Sequence, residues 1–462
     1  MELALLIDFG STYTKITAVD VEATEVIATA KGLTTVETNI LEGLNKALEE
    51  IKPFFGGTLP QFQSRLACSS AAGGLRMVAI GLVKELTVEA ARQAALGAGA
   101  RILGVYAHQL TSSEIEQIDG SCPDIILLAG GTDGGNKETI LHNARMLAKT
   151  KYGNTIIIAG NKSAADEVQD ILLKAGKDVR VTANVLPELN KLNVEPARDA
   201  IRATFLEKIV EAKGLRRAET YIQGVLMPTP AAVLNAAKLL STGTEDEAGL
   251  GELIVVDIGG ATTDIHSVAE GHPTRSGVTY KGLPEPFTKR TVEGDLGMRV
   301  SALSLLESIG SRRLASVTGL PESEVESYVQ YVQNRVELLP ENGKQWEIDT
   351  AMARLATDLA MERHAGTLEN VWTPMGAMYI QHGKDLTEVP YLIGTGGVIV
   401  NHPHPRQILE GALYKQDQPT VLRPKQPKFL LDKEYILAAV GLLAEVKPTA
   451  ALRLAKKYMV EA

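Results

Sequence analysis

The chain has 462 residues, of which 45% are hydrophobic and 22% are charged, and its formal net charge at pH 7 is −9. This length allows two or more domains with substantial cores, and the composition is typical of a soluble globular protein. The negative charge argues against nucleic acid or an anionic membrane as the main partner, and the apolar runs are too short to cross a bilayer.

The N-terminal residues and the two cysteines indicate the compartment. Residues 1–7 lack the basic segment of a signal peptide, so we expect a native start rather than a cleaved leader. Cys68 and Cys122 cannot form an all-cysteine zinc or iron–sulfur site with four ligands within one chain. We interpret both as reduced thiols of a cytoplasmic protein. A cluster that bridges two subunits is the other arrangement that two cysteines allow.

A strand followed by a polar turn opens the chain. Residues 3–7 are apolar, and polar and apolar residues alternate again over residues 15–19. Glycine after a strand lets the backbone turn tightly and approach a ligand. The polar residues of this first turn are Asp8, Gly10, Ser11, Thr12 and Lys15. Further strands are predicted at 14–19, at 25–30 and from Arg65, with helices over 39–51 and 85–96.

From about residue 100 to residue 190, predicted strands alternate with predicted helices, a pattern typical of a parallel sheet. We interpret this stretch as an embedded α/β module. It contains a Gly-rich turn over residues 129–136, at a place where α/β proteins bind ligands. Asp133 and Asn136 either belong to a second ligand or partner surface, or the glycines permit a tight turn in which Asn136 caps the next helix. We favour the cap.

The central stretch, residues 253–264, repeats the logic of the first turn. An apolar strand ends in Asp257, and the two carboxylates of Asp257 and Asp264 suit a hydrated Mg²⁺, which takes one or two carboxylates and keeps several waters. The residues between these two are Ile258, Gly259, Gly260, Ala261, Thr262 and Thr263. A third glycine turn follows another apolar strand and consists of Gly394, Thr395, Gly396 and Gly397. Three such turns, two of them related, predict a duplicated fold that closes on one nucleotide.

Three later segments carry further expectations. We expect Asp295 to cap a helix over 298–309, and the alternative is that Glu293 or Asp295 orients an attacking water. Residues 311–375 have helical spacing throughout and predict an all-helical subdomain. The helix predicted over 435–443 is apolar and rich in small residues, which allow close packing. Its resemblance to the late helix of a superfamily of duplicated ATPases implies that it crosses between the two halves of the fold.

Taken in order, the three turns resemble the phosphate-1, phosphate-2 and adenosine motifs of the superfamily that contains actin, the sugar kinases and the heat-shock chaperone ATPases. The resemblance implies an α/β protein with a duplicated actin-like (ribonuclease H-like) ATPase fold, an embedded α/β module and a helical subdomain. It also implies that Lys15 contacts a phosphate. The expected division is 1–100 for the first half, 101–225 for the module and a helical connection, 226–310 for the start of the second half, 311–375 for the helical subdomain and 376–462 for the end of the second half.

Five stretches resemble one family of this superfamily, the glutamate mutase accessory proteins, which are related to the reactivating factors of adenosylcobalamin enzymes. They are residues 5–15, 67–77, 127–136, 257–264 and 394–397. The resemblance implies an ATP-dependent chaperone that exchanges damaged cobalamin for intact coenzyme on a coenzyme B12-dependent mutase, such as glutamate mutase or another aminomutase. It implies Mg²⁺-dependent ATP hydrolysis with Asp8, Asp257 and Asp264 as catalytic residues and with Asp8 and Asp257 as metal ligands. The residues of the three turns, with Lys15, would contact the nucleotide.

The expected partner is the mutase itself, a protein client, rather than nucleic acid or a membrane, and a homo-oligomer is left open. Three other classes of protein are alternatives. A small-molecule kinase of the sugar-kinase type would need a base aimed at a hydroxyl group. An ATP-dependent activator of a radical dehydratase would carry a subunit-bridging iron–sulfur cluster, which the spacing of Cys68 and Cys122 does not suggest. An actin-like filament protein would polymerise with ATP.

Overall fold

The structure of the protein is a computed structural model that describes residues 2–10, 13–34, 40–70, 75–98, 100–151, 155–189, 191–212, 221–223, 225–335, 337–373 and 376–462. The strands are β1 (Leu3–Phe9), β2 (Tyr13–Asp20), β3 (Glu25–Leu33), β4 (Ser64–Ser69), β5 (Leu75–Gly81), β6 (Ala100–Ala107), β7 (Ile125–Leu128), β8 (Thr155–Ile158), β9 (Asp178–Val181), β10 (Val225–Pro228), β11 (Leu253–Ile258), β12 (Thr263–Val268), β13 (Val278–Tyr280), β14 (Thr288–Glu293), β15 (Thr367–Thr373), β16 (Gly376–His382), β17 (Tyr391–Thr395), β18 (Lys428–Asp432) and β19 (Met459–Glu461). The helices are α1 (Ile40–Ile51), α2 (Glu89–Gly97), α3 (Ser112–Ser121), α4 (Glu138–Leu147), α5 (Ala165–Lys174), α6 (Glu195–Ala212), α7 (Thr229–Thr242), α8 (Ala302–Ile309), α9 (Ser311–Thr318), α10 (Glu322–Val332), α11 (Gly343–His364), α12 (Gly397–Val400), α13 (Pro405–Leu409), α14 (Leu437–Ala444) and α15 (Pro448–Tyr458).

Two of the sheets share one strand order. The first sheet runs β10–β4–β1–β2–β3, and the second runs β14–β12–β11–β17–β18–β19. In the first sheet β1, β2 and β3 form antiparallel pairs, and β4 and β10 run parallel to β1. In the second sheet β11, β12 and β14 form antiparallel pairs, and β17 and β18 run parallel to β11. This repeated topology is the duplicated actin-like ATPase fold that the three glycine turns predicted.

The central strand of each sheet explains where the polar turns lie. β1 and β11 are paired on both sides, and their apolar residues are almost completely buried. Strands buried on both faces have near-continuous apolar sequences, so the first carboxylate of each motif comes at the end of such a run. Asp8 and Asp257 are therefore placed at the carboxyl ends of the two central strands.

The embedded module has its own parallel sheet, in the order β6–β5–β7–β8–β9. The chain leaves the first sheet after β4, forms this sheet, and returns to the first sheet through β10. The module's sheet starts at Leu75, because β5 is one of its inner strands, and not near residue 101. The division into domains stays a prediction, but the segment predicted as 101–225 has to begin earlier, so that it includes β5.

The expectation that residues 311–375 are all helical is wrong at the C-terminal end. Helices α9, α10 and α11 fill the stretch up to His364, but Thr367–Thr373 forms β15. This strand pairs with β16 in antiparallel register, within a small sheet in the order β13–β16–β15. The pairing partner lies in sequence beyond the segment, so the local spacing of apolar residues gave no sign of the hairpin.

The expected cap formed by Asp295 is also wrong. Helix α8 begins at Ala302, and its first turn has no side-chain cap from residue 301. Asp295 instead accepts two hydrogen bonds from Arg363, at 2.8 and 2.9 Å, and one from Ser308 Oγ at 2.8 Å. A forked, charge-assisted pair of this kind is stronger than a capping bond to a neutral backbone N–H group.

Helices α7 and α14 pack against each other in a core that contains residues of both sheets. This core includes Leu6 of β1 and Val255 of β11. The contact is very close, because a Cβ atom added at Gly441 of α14 would lie 1.8 Å from Ala232 O of α7. The late small-residue helix thus joins the two halves, as expected. None of the helices in the described part of the chain has the length and apolar character that crossing a membrane requires.

Candidate functional site

The first turns of the two sheets share one backbone hydrogen-bond pattern. Gly10 N–H donates to Tyr13 O at 3.1 Å between β1 and β2, and Gly259 N–H donates to Thr262 O at 2.9 Å between β11 and β12. Each of the two turns is therefore closed by one hydrogen bond that spans four residues. The duplication seen in the strand order extends to the backbone of the predicted phosphate turns.

The residue pairs beside the two turns differ in charge. Asp8 lies opposite Lys15 in the β1–β2 ladder, and Asp257 lies opposite Asp264 in the β11–β12 ladder. One half therefore presents a carboxylate and an ammonium group, whereas the other presents two carboxylates. The fold is duplicated, but the site that it forms is electrostatically asymmetric.

A cleft of about 740 Å³ is lined by residues of both sheets. The predicted site residues that line it are Asp8, Gly10, Lys15, Asp257, Gly259, Gly260, Ala261, Thr262, Asp264 and Gly397. Ser11 and Thr12 lie outside the described residues. The structure thus brings the first, second and third glycine turns to one concave surface, although almost 400 residues of sequence separate the first turn from the third.

Three predicted residues lie behind the wall of this cleft. The buried hydroxyl of Thr263 donates to Leu296 O at 2.6 Å, and that of Thr395 donates to Asp432 at 2.8 Å. Gly394 is enclosed by aliphatic side chains that a Cβ atom would meet. These contacts hold the turns in position. Contact of these three residues with a nucleotide stays a prediction.

Gly396 connects the third turn to the second. Its φ angle is 88°, in the left-handed region that favours glycine. A Cβ atom at this position would lie 2.5 Å from Asp257 Oδ1. The backbone of the third turn therefore packs directly on the carboxylate of the second motif, which only glycine permits.

Asp8 is held by two residues that the motifs did not identify as site residues. Thr229 Oγ1 donates to Asp8 Oδ1 at 2.6 Å, and the Cys68 thiol lies 3.6 Å from the same oxygen. Cys68 is fully buried, and burial, followed by the charge of Asp8, raises its pKa well above the ordinary value. Cys68 is therefore a protonated thiol inside the sheet, and it is not placed to meet a second subunit.

Asp257 is a carboxylate of the cleft with a strongly raised pKa. Burial and, to a smaller extent, the neighbouring charge of Asp264 together raise this pKa to about 7, although Lys15 opposes the rise. In the described part of the chain, no side chain or backbone group donates a hydrogen bond to the Asp257 carboxylate. Its oxygens are thus available to water or to a cation.

The donor groups of the cleft fit a hydrated magnesium ion. Among the described residues, no group of three His, Cys, Asp or Glu side chains could enclose a metal ion. Mg²⁺ does not need such a cage, because it usually keeps several waters and binds one or two carboxylates together with substrate phosphates. Asp8 and Asp257, one from each half, match this requirement.

Tyr435 is a site residue that sequence reasoning missed. Its ring centroid lies 3.7 Å from Lys15 Nζ, so a residue of the last quarter of the chain contacts the first motif. Burial lowers the pKa of Lys15, but the contact with Tyr435 and the charge of Asp8 outweigh this effect, and the pKa is raised. Lys15 is therefore charged at neutral pH. The φ angle of Tyr435 is 54°, which is an uncommon backbone conformation for a residue with a side chain.

Two buried arginines also hold the second half of the site. Arg290 binds Asp264 with its Nε at 2.7 Å, and Arg299 forms a forked pair with Asp349 at 2.9 and 3.0 Å. The backbone N–H of Arg299 also donates to Gly260 O at 2.8 Å. These pairs fix the second turn from behind, and Arg290 neutralises the charge of Asp264.

The Gly-rich turn of the module has the structural role that we favoured. Asn136 Oδ1 accepts a hydrogen bond from Thr139 N–H at 3.1 Å, which caps the start of α4. Asp133 accepts hydrogen bonds from Asn184 at 2.9 Å and from Lys162 N–H at 3.0 Å. The N-cap position of α4 is Lys137, one residue later than predicted, but the expected side-chain hydrogen bond of Asn136 to the start of the helix is present. The polar groups of the turn are used within the module.

Comparison with known proteins identifies the family. A family model described as MutL protein matches residues 4–459. The curated relative Protein MutL from Clostridium tetanomorphum is 55% identical over 461 residues, which covers 100% of both chains. This confirms the family that the sequence motifs indicated.

Solved structures are more distant. The activator of the 2-hydroxyisocaproyl-CoA dehydratase from Clostridium difficile is 9% identical with a TM-score of 0.31, over 98% of this chain and 96% of that one. Xylulose kinase from Lactobacillus acidophilus is 10% identical with a TM-score of 0.38, over 100% of this chain and 93% of that one. We draw no conclusion from scores this low. The family model and the curated relative each cover almost the whole chain, and the chain belongs to the MutL protein family.

Proposed function

We propose that this protein is an ATP-dependent accessory protein that reactivates a coenzyme B12-dependent mutase, with glutamate mutase as the foremost candidate client. The observation that carries the proposal is the cleft in which the two duplicated turns and the third glycine turn meet. Membership of the MutL family, together with the motifs outside the turns, supports a mutase client over a metabolite as the object of the reaction.

In this proposal the phosphates of ATP lie between the two first turns. The backbone N–H of Gly260 and the charged Lys15 would supply positive groups for the phosphate oxygens, while the N–H of Gly259 closes the turn on Thr262. Asp8 and Asp257 would hold Mg²⁺ through water, and that ion would neutralise charge on the phosphates. Asp264, paired with Arg290, completes the polar wall beside Asp257. Hydrolysis then depends mainly on positioning and electrostatics.

Nucleotide binding would join the two halves of the fold. The first turn belongs to the first sheet and the second to the second sheet, while α7 and α14 connect the sheets at the back. A ligand held by both turns favours a closed cleft, and loss of the terminal phosphate weakens that link. We infer that the closed and open forms differ in their affinity for the client, since only such a difference can drive the release of a tightly held cofactor.

The state of the cysteines supports this proposal over an activator of a radical dehydratase. Cys68 is fully buried beside Asp8, and Cys122 is partly buried at the end of α3. A cluster shared between two subunits needs thiols that a second chain can reach, and Cys68 is not accessible. The small-molecule kinase remains the alternative, because the same cleft could admit an acceptor hydroxyl beside Asp257.

The test is a reactivation assay with a mutase from the same organism. The mutase is loaded with a cobalamin that lacks the adenosyl group, and this protein, Mg²⁺, ATP and fresh coenzyme are then added. We expect mutase activity to return, and we expect no return when ATP is replaced by ADP. The Asp257→Asn variant serves as a matched control that should not support repeated reactivation. ATP turnover that requires a small acceptor, without reactivation of any B12 mutase of the organism, would establish the kinase alternative instead.

A further inference from the structure

One arginine of the cleft comes from the embedded module rather than from either actin-like half. Arg101 lies in β6, an edge strand of the module's sheet, and its side chain lines the cleft. It is partly exposed. Within the described ranges, it forms neither a hydrogen bond nor an ion pair. A guanidinium with five donors and no acceptor is available to an anionic ligand.

Three other cations near the two first turns are already paired with carboxylates, whereas Lys31, which also lines the cleft, lies over the ring of Tyr13. Arg290 binds Asp264, and Arg299 binds Asp349. Lys15 lies between Tyr435 and Asp8, at 3.9 Å from an oxygen of Asp8. Arg101 differs from these three because it forms no ion pair with a carboxylate of the described chain. It rests on Gly294, but the two carboxylates beside that glycine, Glu293 and Asp295, are both bound by Arg363. The guanidinium therefore adds a positive charge to the same cleft.

The position of Arg101 is fixed by two contacts with the second half. Arg290 Nη1 donates to Ala100 O at 3.3 Å, so the residue before Arg101 is tied to the pair formed by Arg290 and Asp264. The guanidinium itself rests on Gly294, where an added Cβ atom would lie 2.4 Å from Arg101 Cζ. Both contacts lie beside the turn after β11.

The strand order indicates which phosphate Arg101 would meet. In the second sheet, β14 and β17 lie on opposite sides of the β11–β12 hairpin. The third glycine turn follows β17, whereas Gly294 follows β14 and is level with the β11–β12 turn, because Glu293 pairs with Thr263. A nucleotide whose adenosine lies at the third turn would extend its phosphates across the hairpin turn towards Arg101. The terminal phosphate is then the nearest one.

We propose that Arg101 contacts the terminal phosphate of ATP and thereby makes the embedded module sensitive to the nucleotide state. This inference rests on the proposed binding of ATP in the cleft and adds a residue to it. With ATP, Arg101 would hold the module against the second half. With ADP, the charge would lose its partner and the module would be released from this contact.

The inference is tested by comparing the affinities for ADP and for the β,γ-imido analogue of ATP, measured by calorimetry with Mg²⁺. A hydrogen bond to a charged group contributes about 1.5–3 kcal/mol, so Arg101→Gln should weaken binding of the analogue by about tenfold to a hundredfold. Binding of ADP should change by less than about twofold. Arg101→Lys keeps the charge and should restore part of the preference for the analogue.

Two further variants separate a phosphate contact from a packing role. Gly294→Ala leaves the charge intact but displaces the guanidinium, so it should also reduce the preference for the analogue. Arg145→Gln removes an exposed charge from the same module outside the cleft and should leave both affinities unchanged. The inference would be overturned, with nucleotide binding left intact, if Arg101→Gln preferred the analogue over ADP as strongly as wild type does. Circular dichroism must show that Arg101→Gln and Gly294→Ala are folded. If wild type binds neither nucleotide, the proposed function fails and the inference with it.

Discussion

Asp264 lies directly opposite Asp257 in the β11–β12 ladder, in the place that a lysine takes opposite Asp8 in the first half. The charge of Asp264 disfavours the ionisation of Asp257. Arg290 compensates the charge of Asp264, and burial then leaves Asp257 as the carboxylate whose pKa rises to about 7. The duplicated fold therefore provides one neutralised carboxylate and one that titrates near physiological pH.

The first prediction concerns the stability of the ligand-free protein. In an unfolded chain the Asp257 carboxyl has a pKa near 3.9, whereas in the folded protein it is about 7. Between these values the folded state holds a proton that the unfolded state has lost, so the free energy of unfolding falls as the pH rises from about 4 to 7. Asp257→Asn removes this penalty and should stabilise the protein at pH 8 by about 1–3 kcal/mol.

Urea unfolding at pH 5 and pH 8, without nucleotide and Mg²⁺, measures this effect. The gain in the free energy of unfolding should be larger at pH 8 than at pH 5. Asp170→Asn, at an exposed position of α5, is the control and should show no such difference. A gain that is the same at both pH values would show that Asp257 does not titrate in this range.

The second prediction concerns ATP hydrolysis. Asp8→Asn and Asp257→Asn keep the shape of the side chain but remove a charge that the phosphates and Mg²⁺ require. Each should reduce the rate of ATP hydrolysis by about a hundredfold or more, since one such electrostatic interaction contributes a few kcal/mol to the transition state. The measurement is the release of phosphate with Mg²⁺. Near wild-type rates in both folded variants would contradict the metal assignment.

The sequence predicted those parts of the site that depend on local pattern. An apolar strand that ends in a carboxylate, followed by glycines, is a local signal, and it predicted Asp8, Asp257 and the first two turns. The duplication of the fold followed from the repetition of that signal. The third turn was predicted from glycines alone after an apolar strand. The parallel sheet of the module followed from the alternation of strands and helices.

The parts that were missed depend on contacts between distant residues. Tyr435 and Lys15 are separated by 420 positions, and Thr229 and Asp8 by 221. Nothing in the local sequence of either tyrosine or threonine indicates such a partner. Asp295 was assigned to a helix cap for the same reason: its partner, Arg363, lies 68 positions away.

The third prediction concerns an ion pair in the core of the second half. Arg423 is fully buried and binds Asp358 at 2.5 Å, and Asp358 is only 2% exposed. Asp358→Ala removes the carboxylate that Arg423 shares with Arg313 and Lys415. Arg423 is then left with the carboxylate of Glu362, at 3.1 Å, so the free energy of unfolding should fall by about 3–5 kcal/mol. Urea unfolding measures the change. Glu324→Ala removes the exposed pair with Lys344 and should cost less than about 1 kcal/mol. Similar losses in the two variants would contradict the prediction.

The fourth prediction concerns the helix crossing that joins the two halves. Gly441 of α14 lies so close to α7 that a Cβ atom would be 1.8 Å from Ala232 O. Gly441→Ala must therefore separate the helices or shift the backbone, and overpacking of this kind costs about 1–3 kcal/mol. Because the same helices connect the two sheets, we also expect weaker binding of ADP.

The matched control is Gly120→Ala in α3, where an added Cβ atom meets no other atom within 4 Å. Alanine is a better helix former than glycine, so this change should raise the free energy of unfolding by about 0.5–1 kcal/mol. Urea unfolding of both variants, with and without ADP, gives the comparison. If Gly441→Ala loses both stability and affinity for ADP while Gly120→Ala loses neither, the packing of α7 on α14 determines how the two halves are positioned for nucleotide binding. If Gly441→Ala is as stable as Gly120→Ala, the close approach of α7 and α14 is not required by the fold.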